Sequence, residues 1–164
     1  MKRVLTACLM TVAVWAHAAT VFQLAREDGR AWVSPGHLQG RPSVFLFWDS
    51  ECAPCLKELA NLSHAKAAFP DAVFVAVSLS SRDETRRALA AVALDPQVIR
   101  AMGPDSPAGL LAALGNPGGA LPFTAAFTAD GRACLHGLGP ATAELLQRAA
   151  EACAAGATAT AVLP

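Results

Sequence analysis

Cys52 and Cys55 are the residues of this 164-residue chain whose type and spacing point most directly to chemistry. They are separated by Ala53-Pro54 and stand at the start of an amphipathic run. Two thiols at this spacing can clasp a soft metal ion, form a permanent disulfide, or open and close as a redox pair. A redox pair needs one accessible thiolate and a second thiol close enough to resolve the mixed disulfide that the first one forms.

The two cysteines lie between a predicted strand and a predicted helix. Residues 43–48 (SVFLFW) form a continuous β-branched and aromatic run, which is typical of a strand buried on both faces. After the pair, Leu56, Leu59 and Leu62 recur at helical spacing and predict a helix from the motif to about Phe69. A strand-to-helix turn therefore presents the first cysteine at a helix N-terminus, where free amides and the helix dipole favour a thiolate.

The rest of the chain extends this alternation of strands and helices. A βαβ start followed by a hairpin and a final helix predicts an α/β fold in which helices flank a central mixed β-sheet. Short apolar stretches between residues 19 and 42 suggest an opening hairpin or a pair of short strands. The other predicted segments are strands at 72–79, 98–102, 123–127 and 132–136 and helices at 82–94, 107–114 and 142–153.

The first 18 residues have the three parts of a secretory signal peptide. Lys2 and Arg3 form a basic start, residues 4–15 are apolar, and Ala16-His17-Ala18 fits an A-x-A cleavage site. We expect cleavage after Ala18 and a periplasmic protein. An uncleaved membrane anchor is the alternative, because weak apolar character continues beyond that site.

Composition predicts one domain with an ordinary core, which we place at residues 19–153. Hydrophobic residues make up 54% of the chain and charged residues 16%, without a long run of one sign. Because Lys2 and Arg3 leave with the signal peptide, 11 of the 13 basic residues remain against 13 acidic ones. This balance predicts no nucleic-acid partner, and we expect a monomer. Residues 154–164 lack a periodic apolar pattern and are predicted to form a flexible tail.

Export places the remaining cysteines in an oxidising compartment, where disulfides persist. Four cysteines permit three complete pairings, and the sequence alone does not choose among them. The four are Cys52, Cys55, Cys134 and Cys153.

Three segments carry a family resemblance. They are DGRAWVSPGHLQGRPSVFLFW before the pair, CAPCLKEL around it and LPFTAAFTADGRACLHG after it. Together they resemble the exported thioredoxin-like proteins of the TlpA/ResA/DsbE group, and the resemblance extends from about Val21 to Cys153. It implies a thioredoxin-like fold and a thiol–disulfide oxidoreductase that needs no cofactor.

We expect Cys52 to be the attacking thiol and Cys55, one turn further in and more buried, to resolve the mixed disulfide. Pro54 suits the first helical turn, because proline lacks an amide hydrogen and an amide hydrogen there would have no acceptor within the helix. Ala53-Pro54 lacks the histidine found between the cysteines of strongly oxidising relatives, so the resemblance implies a reductase. Glu51 adds a negative charge that opposes thiolate formation, although its side chain can also point into water.

Glu58 occupies the position of a glutamate that lies beside the redox pair in cytochrome-maturation members of this family. A carboxylate one turn from Cys55 could take up or return a proton when that thiol attacks, provided that burial raises its pKa. An exposed helix glutamate is the alternative. Leu46 stands where thioredoxin itself has a buried aspartate, so if Leu46 is a core residue, any proton relay must come from Glu58 or from water.

Leu121-Pro122 resembles the cis-proline loop that faces the cysteine pair in thioredoxin-like folds. The resemblance implies that the backbone of Leu121 pairs with an extended substrate segment. Without it, the residues alone favour a trans proline in a Gly/Pro-rich turn. Trp48 ends the buried strand and is expected to pack against the motif and to cover part of the substrate-docking surface, unless it is plain core.

Cys134 and Cys153 are predicted to form a structural disulfide. Cys134 lies in the second hairpin strand, and a final helix that returns antiparallel to this strand would bring Cys153 close to it. In the chain-entropy model, closing a loop of this size stabilises a fold by about 3 kcal/mol. Two buried free thiols and a second electron-shuttling pair are the alternatives.

The function implied by the resemblance is exchange of the Cys52–Cys55 disulfide with cysteines or disulfides of client proteins. It extends to cytochrome c maturation, with electrons from a membrane thiol donor. The alternative from another class is a copper chaperone or partner-docking module that uses the two thiolates as soft ligands. No metal site is predicted, because His37, His64 and His136 have no spacing, with each other or with the cysteines, that suggests zinc or haem.

Overall fold

The computed structural model of the chain describes residues 22–38, 40–156 and 160–162. The predicted signal peptide at 1–18, its cleavage site and the alternative of a membrane anchor lie outside these residues. Within them, no helix is both long enough and apolar enough to cross a membrane.

Strands and helices alternate along the described residues much as predicted. The helices are α1 (Ala53–Ala65, continued by a 3₁₀ turn at Lys66–Ala68), α2 (Arg82–Ala90), α3 (Pro107–Ala113) and α4 (Ala143–Ala154). The strands are β1 (Leu24–Ala25), β2 (Trp32–Val33), β3 (Ser43–Trp48), β4 (Val73–Ser78), β5 (Ile99–Met102), β6 (Phe123–Phe127), β7 (Ala133–Leu138) and β8 (Thr160–Val162).

Six of these strands form one mixed sheet in the order β5-β4-β3-β6-β7-β8. β3 runs parallel to β4 and antiparallel to β6, and β4 runs parallel to β5. β6 and β7 form the predicted hairpin, and β8 extends the sheet parallel to β7. The predicted α/β fold with a central mixed sheet is confirmed.

Strand β3 separates two hydrophobic clusters, because its side chains alternate between the two faces of the sheet. Val44, Leu46 and Trp48 pack with apolar residues of α1 and α4. Phe45 and Phe47 pack on the other face, with α3 and the β1–β2 hairpin. All six residues of β3 are buried, so the strand that leads into the cysteine motif is held by core on both sides.

In helix α2, a local sequence motif sets the first residue, and packing of the core sets the last one. It begins with the predicted capping box, in which the Ser81 hydroxyl accepts from the Glu84 amide and the Glu84 carboxylate accepts from the Ser81 amide. It ends at Ala90 rather than at Leu94. Leu94 turns into the core just ahead of Asp95-Pro96, where the residue before proline disfavours helix.

The two ends of the described chain lie against opposite edges of the sheet. β1 and β2 form an antiparallel hairpin, which is one of the two predicted arrangements. Arg26 pairs with Ala101 of β5 through an isolated β-bridge. At the other end the structure differs from the flexible tail predicted at 154–164, because Thr160–Val162 pair with β7. An open sheet edge offers hydrogen bonds to any backbone, so a segment without an apolar pattern can still become a strand.

Candidate redox site

The cysteine pair lies at the turn between β3 and α1. Cys52 is the N-cap of α1, with an extended backbone (φ −82°, ψ 91°), and Cys55 lies in the first turn. A disulfide joins them, and their Cα atoms are 5.2 Å apart. Cys52 is partly exposed, whereas Cys55 is fully buried in the cluster that includes Trp48 and Leu59. The turn therefore offers one sulfur to solvent and keeps the other behind it.

The start of α1 favours negative charge on the Cys52 sulfur. The Cys55 amide donates a hydrogen bond to Cys52 Sγ at 3.3 Å. Pro54 lies in the first turn, as predicted, and that turn contains no acidic residue. Glu51 is exposed, so solvent and salt screen its charge. Once the disulfide is reduced, the free amides of the helix start stabilise the Cys52 thiolate.

A polar network holds the turn that precedes Cys52. Asp49 accepts hydrogen bonds from the Glu51 amide at Oδ1 (2.8 Å) and from the Cys52 amide at its carbonyl (3.1 Å). Its Oδ2 accepts from the Ser80 hydroxyl at 2.9 Å, and the Ser80 oxygen accepts from the Ser50 amide at 2.8 Å. Sequence reasoning missed this network, although an aspartate ahead of a loop amide is a usual signal for an Asx turn.

Glu58 is buried one helical turn after Cys55. It is 7% exposed, and its Oε1 accepts a hydrogen bond from the Ala141 amide, just before α4. Its Oε2 is buried without a hydrogen-bond partner among the described residues. Burial raises the pKa of Glu58 from 4.5 to about 7, and the hydrogen bond from Ala141 lowers it by less. The side chain therefore has the buried environment that proton transfer requires, and it is not an exposed helix glutamate.

A groove of about 780 Å³ lies beside the pair, between α1 and the loop before α4. Glu58 and Lys57 line it together with mostly small and apolar residues. Because the groove reaches the Ala53-Pro54 segment between the cysteines, a carboxyl group that titrates near neutrality lies close to the disulfide. The small and apolar lining residues are Ala53, Pro54, Ala65, Pro140, Ala141 and Ala143.

Leu121-Pro122 directly precedes β6, and its peptide bond is cis, as the resemblance implies. Leu121 is partly exposed and packs on the same hydrophobic cluster as Cys52. The Pro122 carbonyl accepts a hydrogen bond from the Gly139 amide at 2.9 Å. The Leu121 amide and carbonyl make no hydrogen bond to another described residue, so both are free to pair with an incoming backbone.

Trp48 and Leu46 are both core residues. Trp48 is 1% exposed and packs in the cluster that contains Cys55. It is therefore a core residue, the second of the two interpretations of the sequence, and does not form part of a docking surface. Its backbone pairs with Ser78 of β4, and its indole lies on the same face of the sheet as Val44 and Leu46. Leu46 is fully buried, which leaves Glu58 and water as the sources of a proton relay.

The second disulfide joins Cys134 of β7 to Cys153 of α4, the pair predicted from the sequence, with Cα atoms 5.1 Å apart. Cys134 is fully buried, and Cys153 is partly exposed. The bond closes the segment between residues 134 and 153, which includes Ala141. The amide of Ala141 is the donor of the hydrogen bond to Glu58.

The three histidines after the predicted signal peptide, all among the described residues, form no hydrogen bond with the cysteine pair, although His64 lines the groove beside it. His37 bonds to Ser34 at 3.0 Å, and His64 is exposed near the end of α1. His136 is partly buried in β7, where desolvation lowers its pKa. In the described part of the chain, no group of three or more His, Cys, Asp or Glu side chains is arranged to hold a metal ion.

Comparison with known proteins gives similarity in structure rather than in sequence. No family model matches the chain, and no curated protein is significantly similar to it in sequence. A thioredoxin-related protein from Neisseria meningitidis serogroup B superposes with a TM-score of 0.65 at 22% identity, covering 80% of this chain and 98% of that chain. StoA from Bacillus subtilis superposes with a TM-score of 0.59 at 22% identity, covering 80% and 97%.

A third similar structure is a secreted disulfide oxidoreductase from Mycobacterium tuberculosis, described as homologous to Escherichia coli DsbE. It has a TM-score of 0.57 and 25% identity, over 79% of this chain and 95% of that chain. The resemblance expected from the sequence is confirmed in the fold: the chain has a thioredoxin-like fold, similar in structure to a thioredoxin-related protein and to a disulfide oxidoreductase described as homologous to DsbE.

Proposed function

We propose that the protein is a periplasmic thiol–disulfide oxidoreductase that reduces client disulfides with Cys52 and Cys55. The observation that carries this proposal is the unequal placement of the two sulfurs. Cys52 is reachable at a helix N-terminus, and Cys55 is buried behind it. A purely structural disulfide needs no accessible sulfur at a position that stabilises negative charge, whereas thiol–disulfide exchange does.

The first step uses the reduced protein. The Cys52 thiolate attacks one sulfur of a client disulfide, forms a new S–S bond to it, and displaces the other client sulfur as a thiolate. The amides at the start of α1 stabilise the Cys52 thiolate for this attack. The product is a mixed disulfide between the protein and its client.

The second step closes the Cys52–Cys55 bond. The Glu58 carboxylate takes the proton from the Cys55 thiol, and the Cys55 sulfur attacks Cys52 Sγ and displaces the second client thiolate. Two electrons have then passed from the protein to the client, whose two sulfurs leave as thiolates, and Glu58 holds the Cys55 proton until it returns it to a client thiolate or to solvent. Glu58 suits this role because its pKa of about 7 lets it accept and return a proton at neutral pH.

Client docking uses the backbone of Leu121. Its amide and carbonyl are free within the described residues, and its side chain packs on the cluster that also holds Cys52, so an extended client segment can pair with this backbone near the attacking sulfur. Pro122 presents no amide hydrogen that could compete for this segment.

The direction and setting of the reaction are also part of this proposal. Ala53-Pro54 lacks the histidine that accompanies strongly oxidising relatives, which supports a reductase. The similar protein from M. tuberculosis is described as secreted, which supports export by residues 1–18. The family resemblance supports a monomer that acts in cytochrome c maturation and whose cysteine pair is reduced again by a membrane thiol donor.

Trapping with Cys55→Ser tests the function and names the client. When it is expressed in the periplasm of the organism that encodes the protein, this variant should accumulate a mixed disulfide through Cys52. Non-reducing electrophoresis detects this species, and mass spectrometry identifies the client. Cys52→Ser is the matched control and should trap nothing. Stoichiometric Cu(I) uptake by the wild type, without mixed disulfides in the Cys55→Ser strain, would favour the copper chaperone instead.

The reduction potential tests the direction. We expect the Cys52–Cys55 couple to be clearly more reducing than about −120 mV, the value of a dedicated disulfide donor. Equilibration with glutathione, followed by thiol counting on a Cys134→Ala/Cys153→Ala background, measures the potential of this pair alone. A value near that of the donor would contradict the reductase assignment.

A further inference from the structure

We propose that Asn116 is a positioning residue for client binding, because its side chain holds the loop that presents Leu121. We call residues 115–122 the docking loop. The inference rests on the proposed function, since it concerns how the client reaches the cysteine pair. Asn116 was not among the predicted site residues, and it lies in the Gly/Pro-rich stretch GNPGGALP.

The carboxamide of Asn116 bonds to both backbone groups of Ala120. Its Nδ2 donates to the Ala120 carbonyl at 2.8 Å, and its Oδ1 accepts from the Ala120 amide at 3.1 Å. Asn116 is 3% exposed, so little water competes for these bonds. A carboxamide has a donor and an acceptor side by side, as a peptide group does, and Asn116 therefore pairs with Ala120 as a neighbouring strand would.

The base of the docking loop is also held. The Asn116 amide donates to the Leu111 carbonyl of α3 at 2.8 Å, and the Gly119 amide donates to the Asn116 carbonyl at 3.1 Å. Gly115 has a φ of +95° and lies against the ring of His136, where a Cβ would stand 2.6 Å from Cε1. The start of the loop is thus hydrogen-bonded to α3 and packs against His136 of β7. The Asn116 side chain holds the other end of the loop at Ala120.

The consequence falls on Leu121, which directly follows Ala120. A client segment can pair with a preformed backbone at little entropic cost, whereas a loose loop must be ordered during binding. None of the hydrogen bonds of Asn116 involves the turn that carries the cysteines. Loss of its side chain should therefore weaken client binding and leave the chemistry of Cys52 and Cys55 unchanged.

The test compares a protein disulfide with a small one. With insulin as the client, Asn116→Ala should raise KM about tenfold, the effect of losing one or two ordinary hydrogen bonds. The kcat for insulin, the rate with hydroxyethyl disulfide and the reduction potential should stay at their wild-type values, because none of the Asn116 hydrogen bonds involves the turn that carries the cysteines. Asn116→Asp keeps the acceptor but places a carboxylate oxygen against the Ala120 carbonyl, and it should raise KM at least as much as Asn116→Ala.

A second pair of variants perturbs the docking loop without touching Asn116. Gly119 has a φ of +65°, so Gly119→Ala strains the loop although nothing lies within 4 Å of the new Cβ. Gly118→Ala is the matched control, since its Cβ also meets nothing within 4 Å and its φ lies outside the positive range. We expect Gly119→Ala to raise KM for insulin and Gly118→Ala to leave it unchanged. This pair decides the question if the Asn116 variants do not fold.

Each outcome decides for or against the role of Asn116. The inference is overturned if folded Asn116→Ala or Gly119→Ala has the KM of Gly118→Ala. It is also overturned if the rate with hydroxyethyl disulfide or the reduction potential changes in parallel with KM, because the effect is then a general structural one. A wild-type protein that reduces neither insulin nor hydroxyethyl disulfide would refute the proposed function itself, and the inference with it.

Discussion

Replacing Glu58 with glutamine should change how the stability of the protein depends on pH. Burial raises the pKa of Glu58 from 4.5 to about 7 in the folded protein, and the unfolded chain has the ordinary value. The folded state therefore holds the proton more tightly. The stability due to this group is fully present below pH 4.5 and is lost as the pH rises to 7 and above. At about 1.4 kcal/mol per pH unit, the loss is about 3 kcal/mol.

Glutamine is a suitable substitute because it keeps the size of the side chain and the acceptor for the Ala141 amide. It cannot ionise, so Glu58→Gln should not lose this stability on the alkaline side. The free energy of unfolding of the wild type, minus that of Glu58→Gln, should fall by about 3 kcal/mol between pH 4 and pH 8.5. Glu51→Gln changes an exposed carboxylate near the same cysteines and is the matched control. The corresponding difference for this control should stay nearly flat with pH.

Urea unfolding, monitored by tryptophan fluorescence at several pH values with both disulfides intact, measures these differences. The slope of each transition must agree between variants, so that the midpoints report stability. If the wild type and Glu58→Gln kept a constant difference across the pH range, the Glu58 carboxyl would not titrate in a buried environment. Its assignment as the proton acceptor for Cys55 would then lose its physical basis.

Two further predictions concern the same elements. Glu58→Gln should slow the closing of a preformed mixed disulfide by Cys55 roughly tenfold or more at neutral pH, and should remove an inflection near pH 7 from the pH–rate profile. Stopped-flow measurement of client release checks this, and an unchanged profile would assign the proton transfer to water. Cys134→Ala/Cys153→Ala should lower the free energy of unfolding by about 3 kcal/mol while insulin reduction persists. Loss of insulin reduction in a folded double variant would instead identify a second electron-shuttling pair.

The elements that carry the cysteines could be predicted because their signals are local. The apolar run of β3, the leucine spacing after the pair and the capping box at Ser81 each depend on residues a few positions apart. The same applies to the unequal exposure of Cys52 and Cys55, since a residue at a helix N-cap faces solvent more readily than one in the first turn that points to the core.

The surroundings of Glu58 could not be predicted in this way. A glutamate on α1 is compatible with either solvent or burial, and the choice depends on Ala141, which is 83 positions away in the sequence. Trp48 likewise left two interpretations open until the packing of β3 placed it in the core. The Gly/Pro-rich docking loop has no periodic pattern, so its closure by Asn116 was not evident from composition.

By itself, the sequence determined that two thiols follow a buried strand and open a helix, because apolar periodicity, proline and helix-start chemistry act over a few residues. Only the tertiary structure decided that Glu58 titrates near neutrality, that Asn116 closes the docking loop and that Thr160–Val162 join the sheet. These properties depend on desolvation and on hydrogen bonds whose partners are selected by folding, and no short stretch of sequence specifies them.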